Sequence, residues 1–283
     1  MTTATAIRTI KLPSGEPIPV LGQGTWGMAE DARRRADEIA ALRLGVDLGM
    51  TLIDTAEMYA DGGAEGLIGE ALADRRDELF LVDKVLPQNA TLSGTIAACE
   101  RSLRRLRTDR LDMYLLHWRG RVPLAETVEA FTTLMQRGLI RHWGVSNFDL
   151  SDLVELTGIP GGTAVETDQV LYNLARRGIE WDLLPRCRET GLPIMAYSPF
   201  DHGKTVDHPV LRTVAEEHGA TPPQIALAWV LRQDGVATIP KASTPEHVRD
   251  NRAAYDIQLT ESDLAVLDRA FPPPSGPQPL EVL

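Results

Sequence analysis

Four side chains in this sequence, Asp54, Tyr59, Lys84 and His117, are of the types needed to protonate an oxyanion near neutral pH. A tyrosine hydroxyl alone, with a pKa of about 10, is a poor match to that task. An ammonium beside it stabilises the phenolate and lowers that value, which is the role open to Lys84. Asp54 could keep Lys84 charged and oriented, and His117 could hold a carbonyl oxygen by a hydrogen bond. Such a set suits hydride addition to a carbonyl, which leaves an alkoxide to be protonated, and it needs no metal. Each residue also has a plainer reading by itself. Asp54 could cap a helix, Lys84 could be a solvated rim charge, His117 a satisfied core histidine and Tyr59 a packed ring with its hydroxyl in water. The conjunction carries the argument.

What must position these groups is a set of parallel strands. Apolar strand signals fall at residues 19–21, 51–53, 79–82, 111–116, 140–145, 164–170, 193–196 and 236–239. Between them lie amphipathic segments at 32–48, 64–73, 91–106, 124–137, 150–157, 178–190 and 222–233. This alternation predicts an α/β protein with a single (β/α)8 TIM barrel spanning residues 1–283 as one domain. An N-terminal β-hairpin is expected over 7–20, extra C-terminal helices at 244–252 and 261–270, and an extended, proline-rich tail over 271–283. Asp54, Lys84 and His117 follow consecutive strands, so one rim receives all of them. If Lys84 faces the barrel interior, period-two alternation turns Asp83 toward the helix layer, where a structural role is expected.

Composition narrows the partners. The formal charge of −11 opposes nonspecific nucleic-acid binding. No apolar run approaches the roughly 20 residues of a membrane span, and the first residues do not read as a signal peptide, so a cytoplasmic protein is expected. Cys99 and Cys187 lack neighbours at metal-ligand spacing and read as buried thiols. The mixed His and Asp run over 201–208 matches no standard zinc spacing, and no metal is expected. Gly22, Gly24 and Gly27 form a dinucleotide-like G-x-G-x-x-G, but the next helix starts several residues late and Trp26 would crowd the turn. An open Rossmann sheet is therefore disfavoured.

Several ordered motifs resemble those of the aldo-keto reductase superfamily, in particular its short bacterial aldehyde and methylglyoxal reductases. The run 49–59 resembles the segment carrying the catalytic Asp54 and Tyr59, and Lys84 and His117 fall where the remaining catalytic residues belong. The resemblance implies that Ser146, Asn147 and Gln169 hold a nicotinamide carboxamide and that Tyr197 stacks on its ring. Gly24, Thr25, Trp26, Asp54, Ser198 and Phe200 border the same cofactor, with Lys204 as a pyrophosphate contact. Lys241, Ala242, Ser243, Thr244, His247, Asp250 and Asn251 surround the adenosine end, where Lys241 meets a 2′-phosphate. His247 stands where many members have arginine, so the resemblance implies NADPH with weakened discrimination against NADH. Trp26, Tyr59, His117 and Trp118 would line an open pocket for small aldehydes and α-dicarbonyls such as methylglyoxal. A monomer is expected. Alternatives are a non-catalytic nicotinamide-binding subunit like the potassium-channel β-subunits, and an alcohol dehydrogenase working oxidatively. A metal-dependent barrel hydrolase is more distant, for want of paired ligands at strand ends.

Overall fold

The structure is a computed structural model that describes residues 5–203 and 206–283. Strands β1 (Thr9–Lys11) and β2 (Pro17–Pro19) form an antiparallel hairpin with Ile10 opposite Ile18. The barrel follows as β3 (Gln23–Gly24), β4 (Leu52–Asp54), β5 (Phe80–Val85), β6 (Leu111–Leu116), β7 (Ile140–Ser146), β8 (Asp168–Leu171), β9 (Ile194–Tyr197) and β10 (Val236–Thr238), paired in parallel in chain order. Isolated bridges Leu21↔Thr238 and Gly24↔Lys241 close the sheet on itself. The α/β (β/α)8 barrel with its leading hairpin is therefore the fold.

The first barrel strand lies a few residues beyond the expected 19–21. Pro17 and Pro19 already belong to the hairpin, and pairing with β4 begins at Gln23. Helices α1 (Arg35–Asp47), α2 (Gly63–Leu72), α3 (Leu92–Leu106), α4 (Leu124–Gln136), α5 (Leu150–Thr157) and α6 (Leu183–Thr190) occupy the expected connections. They are followed by α7 (Pro209–His218), α8 (Pro222–Leu231), α9 (Pro245–Ala254) and α10 (Glu261–Ala270). Helix α7 is absent from the sequence reading. Its signals were present: Pro209 at the first turn, Leu211, Val214 and Ala215 on one buried face, and Gly219 in a left-handed cap. No described helix is long and apolar enough to cross a membrane.

Two apolar layers fix which side chains reach the rim. Leu52, Phe80, Val82, Met113 and Leu115 cluster inside the barrel, and Leu12 and Ile18 of the hairpin region join them. Ile53, Leu81, Val85, Tyr114 and Leu116 pack instead against the helices. Stepping by two along each strand therefore brings Asp54, Lys84 and His117 inward at the same end. Asp83 is turned outward as expected. It is fully buried against α2 and α3, with Glu65 and Ser102 beside it, and burial first, then the Glu65 carboxylate, pushes it well above the carboxylate range. Cys99 and Cys187 are buried thiols whose burial raises their pKa. Trp143 and Trp229 are core residues.

Candidate active site

Lys84 is completely buried at the top of β5, and its ammonium donates to both Asp54 carboxylate oxygens at 2.8 Å. The Thr55 carbonyl accepts from it at 2.8 Å, and the Tyr59 hydroxyl lies at 3.3 Å. Burial opposes charge on Lys84, but the Asp54 and Tyr59 contacts more than offset it, so its pKa ends above the ordinary lysine value. The bidentate geometry makes this a lysinium–carboxylate pair.

Tyr59 departs from the sequence expectation in one respect. Burial raises its pKa above the usual tyrosine value, and the nearby Lys84 ammonium only partly reverses that. The hydroxyl therefore holds its proton firmly at neutral pH. His117 stands edge-on to Tyr59, with ring centroids 5.9 Å apart. Burial, reinforced by the Lys84 charge, lowers its pKa to about 2, so the imidazole is neutral.

The neighbouring strand ends bring further expected residues together. Ser146 donates its hydroxyl proton to the Gln169 carbonyl at 2.8 Å. Asn147 donates to the His117 carbonyl and to the Ser146 hydroxyl, both at 3.1 Å, while its own amide oxygen accepts from Tyr197 at 2.9 Å. Gln169 points inward, donating to Asp54 at 2.7 Å and to the Met195 sulfur at 3.0 Å. That link between Gln169 and the Asp54–Lys84 pair went unread in the sequence. Its only signal was a polar residue on a barrel strand, since Gln169 on β8 reaches Asp54 across the interior and not from a neighbouring strand.

Much of this rim is backbone in the left-handed region. Ala60, Asp61, Asn147, Ser198 and Asp201 have φ between 45° and 59°. Each such residue costs on the order of 1–3 kcal/mol, and such conformations gather where geometry serves a ligand. Gly24 is fixed by contact, not by φ: an added Cβ would stand 2.5 Å from the Ile239 carbonyl oxygen. Thr25 is tied to the Asp54 carbonyl by both its amide and its hydroxyl. Trp26 is 54% exposed and Trp118 37%, and the Trp118 ring lies 4.8 Å from that of His117. Met58, exposed beside Tyr59, is an additional apolar neighbour.

A second polar group lies at the start of α9. Lys241 is exposed 3.3 Å from the Ser243 hydroxyl, and Thr244 caps the helix by accepting from the His247 amide. Asn251 is buried with an unpartnered side-chain nitrogen. Ala242 packs its methyl group with Leu227 and Val248, and Phe200 packs against the same cluster. Asp250 is half-buried, its carbonyl accepting from Gln224. Lys204 lies outside the described residues. Among those described, no three His, Cys, Asp or Glu side chains converge as metal ligands.

A family model for the aldo/keto reductase family matches residues 20–271. The chain is 49% identical over 281 residues to the methylglyoxal reductase YeaE of Escherichia coli, covering 98% of this chain and 99% of that one. It is 32% identical over 276 residues to a glyoxal reductase of Bacillus subtilis, covering 97% of both. An aldo/keto reductase from Klebsiella pneumoniae, solved in complex with NADP and acetate, superposes with a TM-score of 0.95 at 49% identity, covering 98% of this chain and 100% of that one. The barrel, its rim of acid, lysine, tyrosine and histidine, and these likenesses place the chain in the aldo/keto reductase family.

Proposed function

We propose that the protein reduces small aldehydes and α-dicarbonyls such as methylglyoxal to alcohols with NADPH, Tyr59 donating the proton. The observation that carries this reading is the buried Lys84 ammonium held between the Asp54 carboxylate and the Tyr59 hydroxyl. The substrate class is supported by the methylglyoxal and glyoxal reductases among the relatives, and the cofactor by the NADP complex of the Klebsiella protein.

The residues present fit that cofactor. Gly24 lets the backbone close tightly against Ile239 and bridge to Lys241, and α9 presents its N-terminus beside the Lys241 ammonium and the Ser243 hydroxyl. A helix N-terminus with a neighbouring cation suits a phosphate. Lys241, Ser243, Thr244, His247 and Asn251 would hold the 2′-phosphate end, with Ala242 and Asp250 in the same wall. Gly24, Thr25, Trp26, Ser198 and Phe200 would border the middle. Ser146, Asn147 and Gln169 would take the carboxamide, with Tyr197 against the ring.

When bound, the cofactor supplies the hydride; all else falls to side chains of this chain. His117, neutral, donates a hydrogen bond to the carbonyl oxygen without competing for the proton. Trp26 and Trp118 wall the substrate in. Tyr59, protonated at rest, gives its proton to the alkoxide oxygen, a far stronger base than phenolate. The phenolate so formed sits against the Lys84 ammonium, which Asp54 holds in place. Nothing in this arrangement fixes direction, and alcohol oxidation would use the same groups in reverse. A purely regulatory nicotinamide-binding subunit gives no reason to bury an ammonium against a tyrosine. We further infer a monomer acting in the cytoplasm, the compartment being supported by the two buried free thiols; light scattering on the purified protein tests the monomer.

NADPH oxidation with methylglyoxal, short aldehydes and keto esters is the direct assay. Tyr59→Phe should lower kcat/KM by about 10²- to 10⁴-fold with NADPH binding retained. Activity surviving that change removes Tyr59 as donor. His247→Arg should raise the NADPH-over-NADH ratio of kcat/KM by about tenfold, the contribution of one charge-assisted phosphate contact. An unchanged ratio places the 2′-phosphate elsewhere.

A further inference from the structure

The segment over 271–283, which forms neither helix nor strand, crosses the loop that follows β8, and adjacent arginines in that loop grip it. Arg177 donates at 2.7 Å to both the Asp268 carboxylate and the Phe271 carbonyl, fixing the start of the segment. Gly178 lies under Gln278, where an added Cβ would come within 3.3 Å of the Gln278 Cβ. Arg176 takes the far part, pairing with Glu281. Its Nε also donates to Asp201 at 3.3 Å, in the turn that leaves β9. Asp201 follows Tyr197 at the end of β9 by four residues, and the Tyr197 hydroxyl donates to the Asn147 amide oxygen at 2.9 Å.

Apolar packing holds this segment only in part, through Phe271 and Leu280 against the core. A cavity of about 510 Å³ lies beneath it, lined by Leu171, Leu183, Gln278 and Glu281 among others. Val282 and Leu283 are themselves more than half exposed. The backbone that presents Arg176 is, by contrast, rigid. Asn173 is buried, its side-chain oxygen accepts from the Ala175 and Arg176 amides, and its nitrogen donates to the Ser198 carbonyl just after β9. Arg176 is thus anchored on one side, and Asp201 is almost wholly buried.

We propose that Arg176 is a positioning residue, a clasp that couples the 271–283 segment to the turn after β9 and holds both over the Tyr197 side of the site. An exposed ion pair by itself contributes little. Here one guanidinium serves two carboxylates, and removing it strands the buried one. Cofactor leaving past Tyr197 must part the segment from the turn, so the clasp sets its release rate. This step rests on the function proposed above, because it places the cofactor along that side.

The test has one arm without ligand and one with it. In the protein free of cofactor, amide hydrogen exchange at residues 280–283 is compared among wild type, Arg176→Met, Glu281→Gln and the double variant. Release of NADPH is then followed by its fluorescence at low and high salt. Both single variants are expected to speed exchange in the segment and to speed release by about three- to tenfold, with the double variant no faster than the faster single. High salt should accelerate release from wild type more than from the double variant, the excess being the part due to the clasp. Unchanged exchange in both singles, or additive effects in the double, overturns the clasp. Should Arg176→Met fold poorly, Glu281→Gln decides alone, since it leaves the Asp201 contact intact. A wild-type protein that binds no NADPH defeats the proposed function, while the exchange arm still judges the contact.

Discussion

His117 at the C-terminal mouth of the barrel and His142 at the N-terminal mouth both lie among interior residues, yet their environments push them in opposite directions. At the rim, burial and the Lys84 charge drive His117 down to about 2. At the other mouth His142 lies over Phe80 and meets Glu16 at 2.6 Å and Glu166 at 3.7 Å. Burial opposes its charge too, but the carboxylates prevail and its pKa is raised. Burial disfavours the charged ring at both mouths; the Lys84 charge adds to it at the rim, and the two carboxylates outweigh it at the base. At the rim the carboxylate is engaged by lysine, leaving a neutral imidazole for hydrogen bonding. At the base the carboxylates come from the hairpin loop and the start of β8, and the imidazolium ties that loop to the barrel, where Ser14 also donates to Glu166.

The contrast can be broken most forcefully at Lys84. Lys84→Met leaves Asp54 buried without its partner, and should cost about 3–5 kcal/mol in urea unfolding along with nearly all turnover. Asp54→Asn added to it should recover most of the stability and none of the activity. Stability untouched by the single change would mean that the rim charges do not compensate one another. His117→Phe comes next, with kcat/KM expected to fall about 100-fold while the NADPH Kd holds. Proton NMR sharpens the same point: the His117 ring signals should not titrate between pH 8 and 5, whereas those of His142 should titrate above the ordinary histidine value.

The smallest effect belongs to the base. Folding raises the His142 pKa, so its contribution is complete below about 6.5 and fades as pH climbs through the higher native value. Glu166 is shifted down by the same contact and by Ser14, against its burial, so the pair weakens again in acid. His142→Gln should lower Tm by about 2–4 °C near pH 6, a gap that closes in alkali, with turnover unchanged. A gap independent of pH would assign His142 to packing alone.

How far the sequence foretold this differs between the two mouths. Asp54, Lys84 and His117 were legible because alternation along short strands ties a residue's facing to its number, and each stands at an apolar run's end. Tyr59 was legible through its spacing from Asp54, but its net pKa shift was not, since burial depends on what other elements bring over the ring. The His142 contacts were invisible: Glu16 is 126 residues away in the chain, and only barrel closure brings it to the ring. The grip of Arg176 and Arg177 on the 271–283 segment was hidden for the same reason. Nothing in the Arg176–Arg177 pair names the acids that the fold brings to it, among them Asp268 and Glu281. Helix α7 was a different failure, a short amphipathic signal passed over beside a polar loop.

The brevity of β3 has a mechanical consequence. Strands β5, β6 and β7 are joined along most of their length, whereas the closure between residues 20–24 and 238–241 rests on three backbone hydrogen bonds, from Thr238 to Val20, Gly22 to Thr238 and Gly24 to Pro240. The barrel therefore has a seam, and thermal opening should start there. Gly24 borders it on one side and Lys241 on the other, both in the proposed cofactor wall. A ligand gripped by both edges acts as a stitch, and by mass action saturation at 100 times Kd adds about 2.7 kcal/mol against unzipping. The protein would then be sturdiest when loaded, and the empty barrel would be the state most open to proteolysis.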